Sequence, residues 1–266
     1  MTEAADEVAD LAPDDVPYSL PWRVATLVHR HRETATAVTL DLDVPGWRGA
    51  MAGQHVDVRL TAEDGYSAQR SYSLASPASM GMAAGDATSE RIALTVQVVD
   101  DGEVSPYLTE DLEVGDQIEL RGPIGNWFVW HPADPRPVQL VAGGSGLVPL
   151  MSMVRTHAAR GSSAPQRLLV SVRSPDDALY ADELDRPSPA VEVTRVWTRS
   201  GPPGWTGRVG RVDAELLRAA CFPPDVAPRV FVCGPTTFVE AVADALVDLG
   251  HDADLIRTER FGPTGV

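Results

Sequence analysis

The sequence predicts two domains, an antiparallel β-barrel followed by an α/β domain doubly wound around a five-stranded parallel sheet. Three observations carry that prediction. Between Trp22 and about Leu120 apolar residues recur at period two, as in Val38, Leu40, Leu42, then Val56, Val58, Leu60, then Ile92, Leu94, Val96, Val98. That alternation, interrupted by Gly and Pro turns, marks half-buried antiparallel strands. The stretch His131-Pro-Ala-Asp-Pro-Arg-Pro137 then excludes both a persistent helix and a central strand. Beyond it, short continuous apolar runs alternate with helical periodicity, the pattern of buried parallel strands with crossover helices.

Residues 1–17 carry six acidic side chains and no basic one, without a strong apolar period, and read as a flexible acidic tail. The barrel domain is assigned to 18–133 and the α/β domain to 134–266. Within the barrel, the small polar stretch from Ala78 to Ser89 is expected to be a surface loop. In the second domain the expected strands are Val138–Ala142, Leu168–Val172, Val191–Trp197, Val230–Cys233 and Asp254–Arg257. The clearest helix is Thr236–Leu249, where Phe238, Val239, Val242, Ala245, Leu246 and Leu249 share a face and Gly250 supplies the stop.

Composition narrows the chemistry. The chain has 266 residues and a formal net charge of −16, from 22 basic and 38 acidic side chains. Every basic residue is Arg, so lysine Schiff bases, pyridoxal anchoring and a P-loop lysine are excluded. The negative charge and scattered arginines argue against nucleic-acid and anionic-membrane partners. Cys221 and Cys233 cannot form a four-thiolate cluster within the chain. A reducing cytoplasm is the expected compartment, since no apolar run approaches a membrane span and the N-terminus is acidic where a signal peptide is basic.

In a doubly wound sheet, ligands bind beyond the carboxyl ends of the strands. The first strand leads into Gly143-Gly-Ser-Gly-Leu-Val-Pro149. Bare backbone at Gly144 and Gly146 would admit a ligand closely, and Pro149 fits the first turn of the following helix, making a dinucleotide or phosphate seat. A plain strand-to-helix turn has the same look. The fourth strand ends at Cys233-Gly234-Pro235 at the same edge, either a buried small hydrophobe or a site residue. The second ends at Arg173-Ser174, and Arg199 follows the third; both arginines could receive a 2′-phosphate or simply be solvated. In the barrel, Arg70-Ser-Tyr-Ser-Leu-Ala-Ser76 puts Arg70, Tyr72, Leu74 and Ser76 on one strand face, with Ser71 and Ser73 on the other. A cation, an aromatic plate and hydroxyls suit a ligand with phosphates and a flat polar ring. Further on, Gly102-Glu-Val-Ser-Pro-Tyr-Leu108 offers Ser105 as an N-cap with Pro106 at the first helical position.

Taken in order from about Tyr18 to the end, these segments resemble the ferredoxin-NADP reductase family, specifically its bacterial flavin reductase branch. Arg70–Ser76 matches the flavin motif RxYSxxS. Gly102–Leu108, Gly115-Asp116 and Gly122-Pro-Ile-Gly125 match the phosphate-binding segment and the strand and turn after it. Gly143–Pro149 and Cys233–Pro235 match the two nicotinamide motifs, and Glu259-Arg-Phe-Gly262 matches the C-terminal segment. The resemblance implies that the barrel binds FAD and the α/β domain NADPH, with NADH possible; the NADPH preference comes only from Arg173 and Arg199. It implies that Arg70 holds flavin phosphates, Tyr72 stacks on the ring and Ser73 lies near N5. Ser105 and the backbone of Gly102, Glu103 and Val104 would take the pyrophosphate. Gly143, Gly144, Ser145, Gly146 and Pro149 would seat the nicotinamide dinucleotide, together with Arg173, Ser174 and Arg199. Cys233, with Gly234 and Pro235, would orient the nicotinamide, while Glu259 and Phe261 would line the ring pocket; Ser73, Cys233 and Glu259 would be catalytic. Ser145 stands where many relatives have Thr.

The activity implied is hydride transfer from NAD(P)H to FAD and release of single electrons to a separate acceptor, with a ferredoxin serving an oxygenase as the leading partner. The overall negative charge opposes docking of an acidic ferredoxin unless arginines cluster locally. Two alternatives stand beside it: a reductase of free flavin, quinone or ferric siderophore, and a flavoprotein subunit of a larger redox complex. The six histidines read as structural or surface residues, and Cys221 has no assigned role.

Overall fold

The computed structural model describes residues 20–79, 91–186, 188 and 191–262. The proposed tail 1–17 and residues 80–89 of the expected surface loop lie outside that range. Strands β1 (Arg23–Thr34), β2 (Ala37–Asp43), β3 (His55–Thr61), β4 (Ser67–Ser73) and β5 (Arg91–Gln97) precede a single helical turn α1 (Val104–Pro106), which widens into a π-type turn over Tyr107–Asp111, and then β6 (Gln117–Ile124). They form a six-stranded sheet ordered β4-β3-β6-β1-β2-β5, and all its pairs are antiparallel. Alternate residues turn inward, so Leu27, Leu40, Leu42, Val56, Val58, Leu94 and Leu120 make one buried core. Each contributes about 1.5–3 kcal/mol relative to exposure.

The flavin-type segment behaves differently from a single continuous strand. β4 pairs with β3 only as far as Ser73. Leu74 then bridges to Leu94, and the Ala75 N–H donates to the Ala93 carbonyl at 2.8 Å. The chain thereby changes partners from β3 to β5 and closes the sheet into a barrel. Ser76, expected on the same strand, lies in the loop that follows.

The second half contains β7 (Val138–Gly143), α2 (Leu147–Arg160), β8 (Gln166–Val172), α3 (Ala181–Leu184), β9 (Glu192–Trp197), α4 (Ala214–Ala220), β10 (Arg229–Pro235), α5 (Thr236–Asp248) and β11 (Ile256–Phe261). The five strands are parallel in the order β11-β10-β7-β8-β9. The last begins two residues later than expected, because Ala253–Leu255 form a 3₁₀ turn capped by the Asp252 carboxylate. One face of the sheet packs on α2 and the α3 region, the other on α4 and α5. The first of these cores also takes in Ala37, Ala52, Ala75, Ala93, Phe128 and Trp130 from the barrel half. The two sheets therefore meet through shared apolar packing rather than through a bare linker. Among the described residues no helix is long and apolar enough to cross a membrane.

Candidate active site between the two sheets

From β7 the chain moves one way to β8 and β9 and later returns to β10 on the other side. The crevice of such a sheet opens where that direction reverses, above the carboxyl ends of β7 and β10. The glycine-rich segment leaves β7 there, and Cys233-Gly234 ends β10 beside it. Their glycines do different jobs. Gly144 has φ +56° with open space where a side chain would stand, so a ligand can approach its backbone. At Gly146 a Cβ would lie 2.2 Å from the Cys233 carbonyl oxygen and 2.6 Å from the Gly234 nitrogen. The expectation that Gly146 is bare for a ligand is therefore corrected: it is bare so that the loop can lie on β10. Gly143 and Gly234 both back onto the Phe238 ring, where a Cβ would come within 2.6 and 2.9 Å. No side chain caps the start of α2, where the Leu147 N–H is bonded back to the Gly144 carbonyl, Pro149 stands third in the helix without an N–H, and half-buried Ser145 lies in the turn before it.

Cys233 stands opposite Glu259 in the parallel register of β10 and β11, so the two side chains project to the same side. Burial pushes the Cys233 thiol well above its ordinary range, and Glu259 adds to the effect. The thiol is thus an uncharged, polarizable wall rather than a nucleophile. Burial also pushes the Glu259 carboxyl up to about 7, an effect that the Ser73 hydroxyl partly opposes. Ser73 donates to Glu259 Oε1 at 3.3 Å from the other sheet, across 186 positions of sequence. Ser73 and Cys233 thus both neighbour Glu259, with Phe261 39% exposed at the end of the same strand as Glu259. His55 is an addition. It stands opposite Ser73 in the β3–β4 register, half-buried, and its imidazole is lowered mainly by burial, with Asp57 opposing. Only the strand register, not any motif, could have marked it out among the histidines.

The remaining flavin-motif residues divide. Tyr72 packs against the barrel core, and burial pushes its phenol up to about 12. Arg70 is exposed, its guanidinium resting on the neighbouring Gln69 carbonyl. Ser71 donates at 2.6 Å to Asp57, which Arg121 clamps at 2.9 Å. That hydroxyl is held in an ionic row on the exposed face, so Ser71 does not join the cluster around Glu259.

The phosphate segment also corrects an expectation. Glu103, not Ser105, occupies the cap position of α1, with no side-chain cap, and Pro106 is third in the turn rather than first. The Val99–Gly102 turn folds over Ser105, whose buried hydroxyl accepts the Val99 N–H at 3.0 Å. A Cβ on Gly102 would sit 3.0 Å from that oxygen. Ser105 thus props the loop that runs into α1. The Tyr66 hydroxyl donates to the Glu103 carboxylate at 2.9 Å, and both line a groove of about 600 Å³ with Tyr107.

At the far end of the crevice, Arg173 and Arg199 are both exposed, and the Arg199 N–H donates to the Arg173 carbonyl at 2.9 Å. Their guanidinium groups thus leave adjacent points of the sheet edge, with no hydrogen-bond or ion-pair partner among the described residues. The Ser174 hydroxyl donates to Asp177 at 2.7 Å, bringing a carboxylate to the same edge.

Comparison with known proteins agrees with this arrangement. Residues 25–129 match the oxidoreductase FAD-binding domain family, and residues 140–244 the oxidoreductase NAD-binding domain family. The glycine betaine monooxygenase reductase subunit of Chromohalobacter salexigens is 32% identical over 220 residues, covering 80% of this chain and 56% of that protein. The chain therefore spans little more than half the length of that relative. Ferredoxin–NADP reductase B of Sorangium cellulosum is 36% identical over 218 residues, covering 79% of this chain and 84% of the relative. Among solved structures, the flavohem-like FAD/NAD binding domain of nitric oxide dioxygenase from Vibrio cholerae shares the fold, with a TM-score of 0.78 at 23% identity over 91% of this chain and 99% of that one.

Proposed function

The chain belongs to the ferredoxin-NADP reductase family of FAD- and NAD(P)-binding oxidoreductases, and from that premise we propose that it carries electrons from NADPH to a ferredoxin that serves an oxygenase. The observation that carries the reading is the hydrogen bond between Ser73 and Glu259, which joins the flavin-type strand to the strand beside Cys233. Bound FAD supplies the conversion between a two-electron hydride donor and a one-electron acceptor. The protein supplies placement. Tyr72 and Ser73 hold the ring, Arg70 and the N–H edge at Glu103–Ser105 hold its phosphates, and the groove at Tyr66 and Tyr107 takes the adenosine. The turn at Gly143–Gly146 and the start of α2 would seat the nicotinamide nucleotide, and the uncharged Cys233 thiol would line that seat without acting as a nucleophile. Glu259, half protonated near pH 7, keeps a proton within reach of Ser73.

The oxygenase-serving role is supported by the relatives named as oxygenase reductase and ferredoxin–NADP reductase. Both cysteines are buried and lie in separate cores, so the two thiols do not share a cluster site. The same free thiols suit a reducing cytoplasm. Reduction of a [2Fe–2S] ferredoxin by NADPH should fall steeply as salt rises, because a chain of net charge −16 must dock through local arginines. Equal reduction of ferricyanide and ferredoxin at all salt concentrations would instead point to small acceptors.

The nucleotide preference rests on Arg173 and Arg199. Arg173→Ala is expected to lower kcat/KM for NADPH by about 10-fold to 100-fold and to leave NADH within a few-fold. An equal loss with both nucleotides would remove the 2′-phosphate role. Asp177 favours the second reading, NADH, because a carboxylate at this edge can accept from ribose hydroxyls.

A further inference from the structure

One side chain ties the helix after the glycine-rich loop to the flavin-type segment and to the connection that follows β8. Arg155 lies in the third turn of α2, the helix that starts at Gly146, and is 23% exposed. Its Nη1 donates at 2.8 Å to the Ala75 carbonyl, two residues beyond Ser73 in the flavin-type segment. Its Nε and Nη2 donate at 3.0 and 2.5 Å to the two oxygens of Glu183 in α3. The guanidinium also covers the Tyr180 ring at 4.8 Å. Glu183 and Tyr180 belong to the connection that leaves β8 at Arg173 and Ser174, the ribose end of the crevice. All three guanidinium nitrogens are engaged, two of them in a bidentate clamp on Glu183, where geometry matters more than charge.

Each of the joined segments is fastened again nearby. On α2, the Ser152 hydroxyl donates to the Ser76 carbonyl at 2.7 Å, and Thr156 Oγ1 accepts the Ala78 N–H at 2.7 Å. On the other side, Tyr180 adopts φ +53°, a conformation that costs an L-residue about 1–2 kcal/mol. Its N–H donates to Glu33 of β1 at 3.1 Å and its hydroxyl to Thr95 of β5 at 2.5 Å. Thr39 of β2 closes the ring, donating to Glu33 at 2.6 Å and sharing a 2.7 Å hydrogen bond with Thr95. The strained Tyr180 is thus held in a polar socket in the barrel, and the ribose-side connection has a fixed height above the flavin-side strand.

We propose that Arg155 is a positioning residue for hydride transfer: by tying the Ala75 carbonyl, Glu183 and Tyr180 to the helix that seats the nucleotide, it sets the separation between the nicotinamide and flavin sites. It acts through its partners, fixing the helix after the glycine-rich loop, the flavin-type segment and the connection that follows Arg173 and Ser174. This rests on the two-ligand reading given above. Misplacement of about 1 Å can lower a rate about 100-fold without much effect on binding.

The test uses full-length, FAD-loaded protein carrying Arg155→Lys or Tyr180→Phe, each of which keeps the local bulk. Four quantities are read: FAD content, the thermal midpoint, the NADP+ dissociation constant from the flavin difference spectrum, and the anaerobic bleaching rate at saturating NADPH. Arg155→Lys is expected to bleach about 10-fold to 100-fold more slowly, with a weaker long-wavelength charge-transfer band and NADP+ affinity within about 3-fold. Tyr180→Phe, which loses one hydroxyl contact, should show a smaller loss of the same kind. Amide exchange at residues 75–79 and 173–184 should quicken in both. Unchanged bleaching and charge-transfer absorbance in both variants, with only the melting temperature lowered, would overturn the proposal and leave Arg155 as ordinary packing. Unbleached wild-type protein would instead defeat the two-ligand reading, so the two failures are distinguishable.

Discussion

Replacing Gly146 by alanine should cost about 3 kcal/mol of stability and weaken NADP+ binding by at least about 10-fold, while FAD stays bound. The new Cβ would meet three backbone atoms, the Cys233 carbonyl carbon and oxygen and the Gly234 nitrogen, all within 2.6 Å. None is the end of a flexible side chain that can swing away. Either the loop lifts or the end of β10 retreats, and both movements displace the Cys233 wall from the nucleotide seat. Flavin retention is spared because Tyr72 and the edge at Glu103–Ser105 lie on the other sheet. Gly144→Ala is the informative control for stability alone, since it meets no protein atom and costs only the strain of its positive φ, about 1 kcal/mol, while its Cβ would stand on the side the nucleotide approaches. Thermal melts and NADP+ titrations check both variants, and a Gly146→Ala protein with wild-type nucleotide affinity would contradict the packing account.

The second large effect concerns pH. The Glu259 carboxyl moves from an ordinary value of 4.5 to about 7 in the folded protein because burial disfavours its charged form. Its folded state therefore holds a proton that the unfolded chain releases. The stabilisation is fully present below pH 4.5 and is lost as pH rises through about 7. Between pH 5 and pH 8 the wild-type protein should lose roughly 3 kcal/mol from this group. Glu259→Gln, which stays neutral, should lack that slope and be the more stable protein at pH 8. Urea melts at the two pH values decide it, and an unchanged slope in the variant would show that another group is responsible.

Much of this architecture is written in local pattern. Period-two runs such as Val38, Leu40, Leu42 and continuous runs such as Val138–Ala142 identify strands because one or both faces of a sheet select apolar residues regardless of the rest of the chain. Glu259, Cys233 and Ser73 could be named because each lies in a short motif at a strand end. What escaped is contact between distant segments. Nothing near Ser105 in sequence announces that the Val99 turn folds over it, so its hydroxyl looked like a helix cap. Gly146 is glycine because of Cys233, and His55 faces Ser73 through register alone. Arg155 gives no local sign at all, because its partners at Ala75, Tyr180 and Glu183 come from both halves of the chain. The change of partner at Leu74 is likewise set by barrel closure and not by the alternation of its own strand.

The claim on which the rest depends is that the crevice joining the two sheets holds FAD and the nicotinamide nucleotide in reactive contact. Mixing FAD-loaded protein with NADPH in the absence of oxygen tests it most directly. The account predicts that the yellow absorbance of the flavin bleaches within the mixing experiment and returns when a one-electron acceptor is added. A fully loaded sample that binds NADPH and keeps its colour would contradict it.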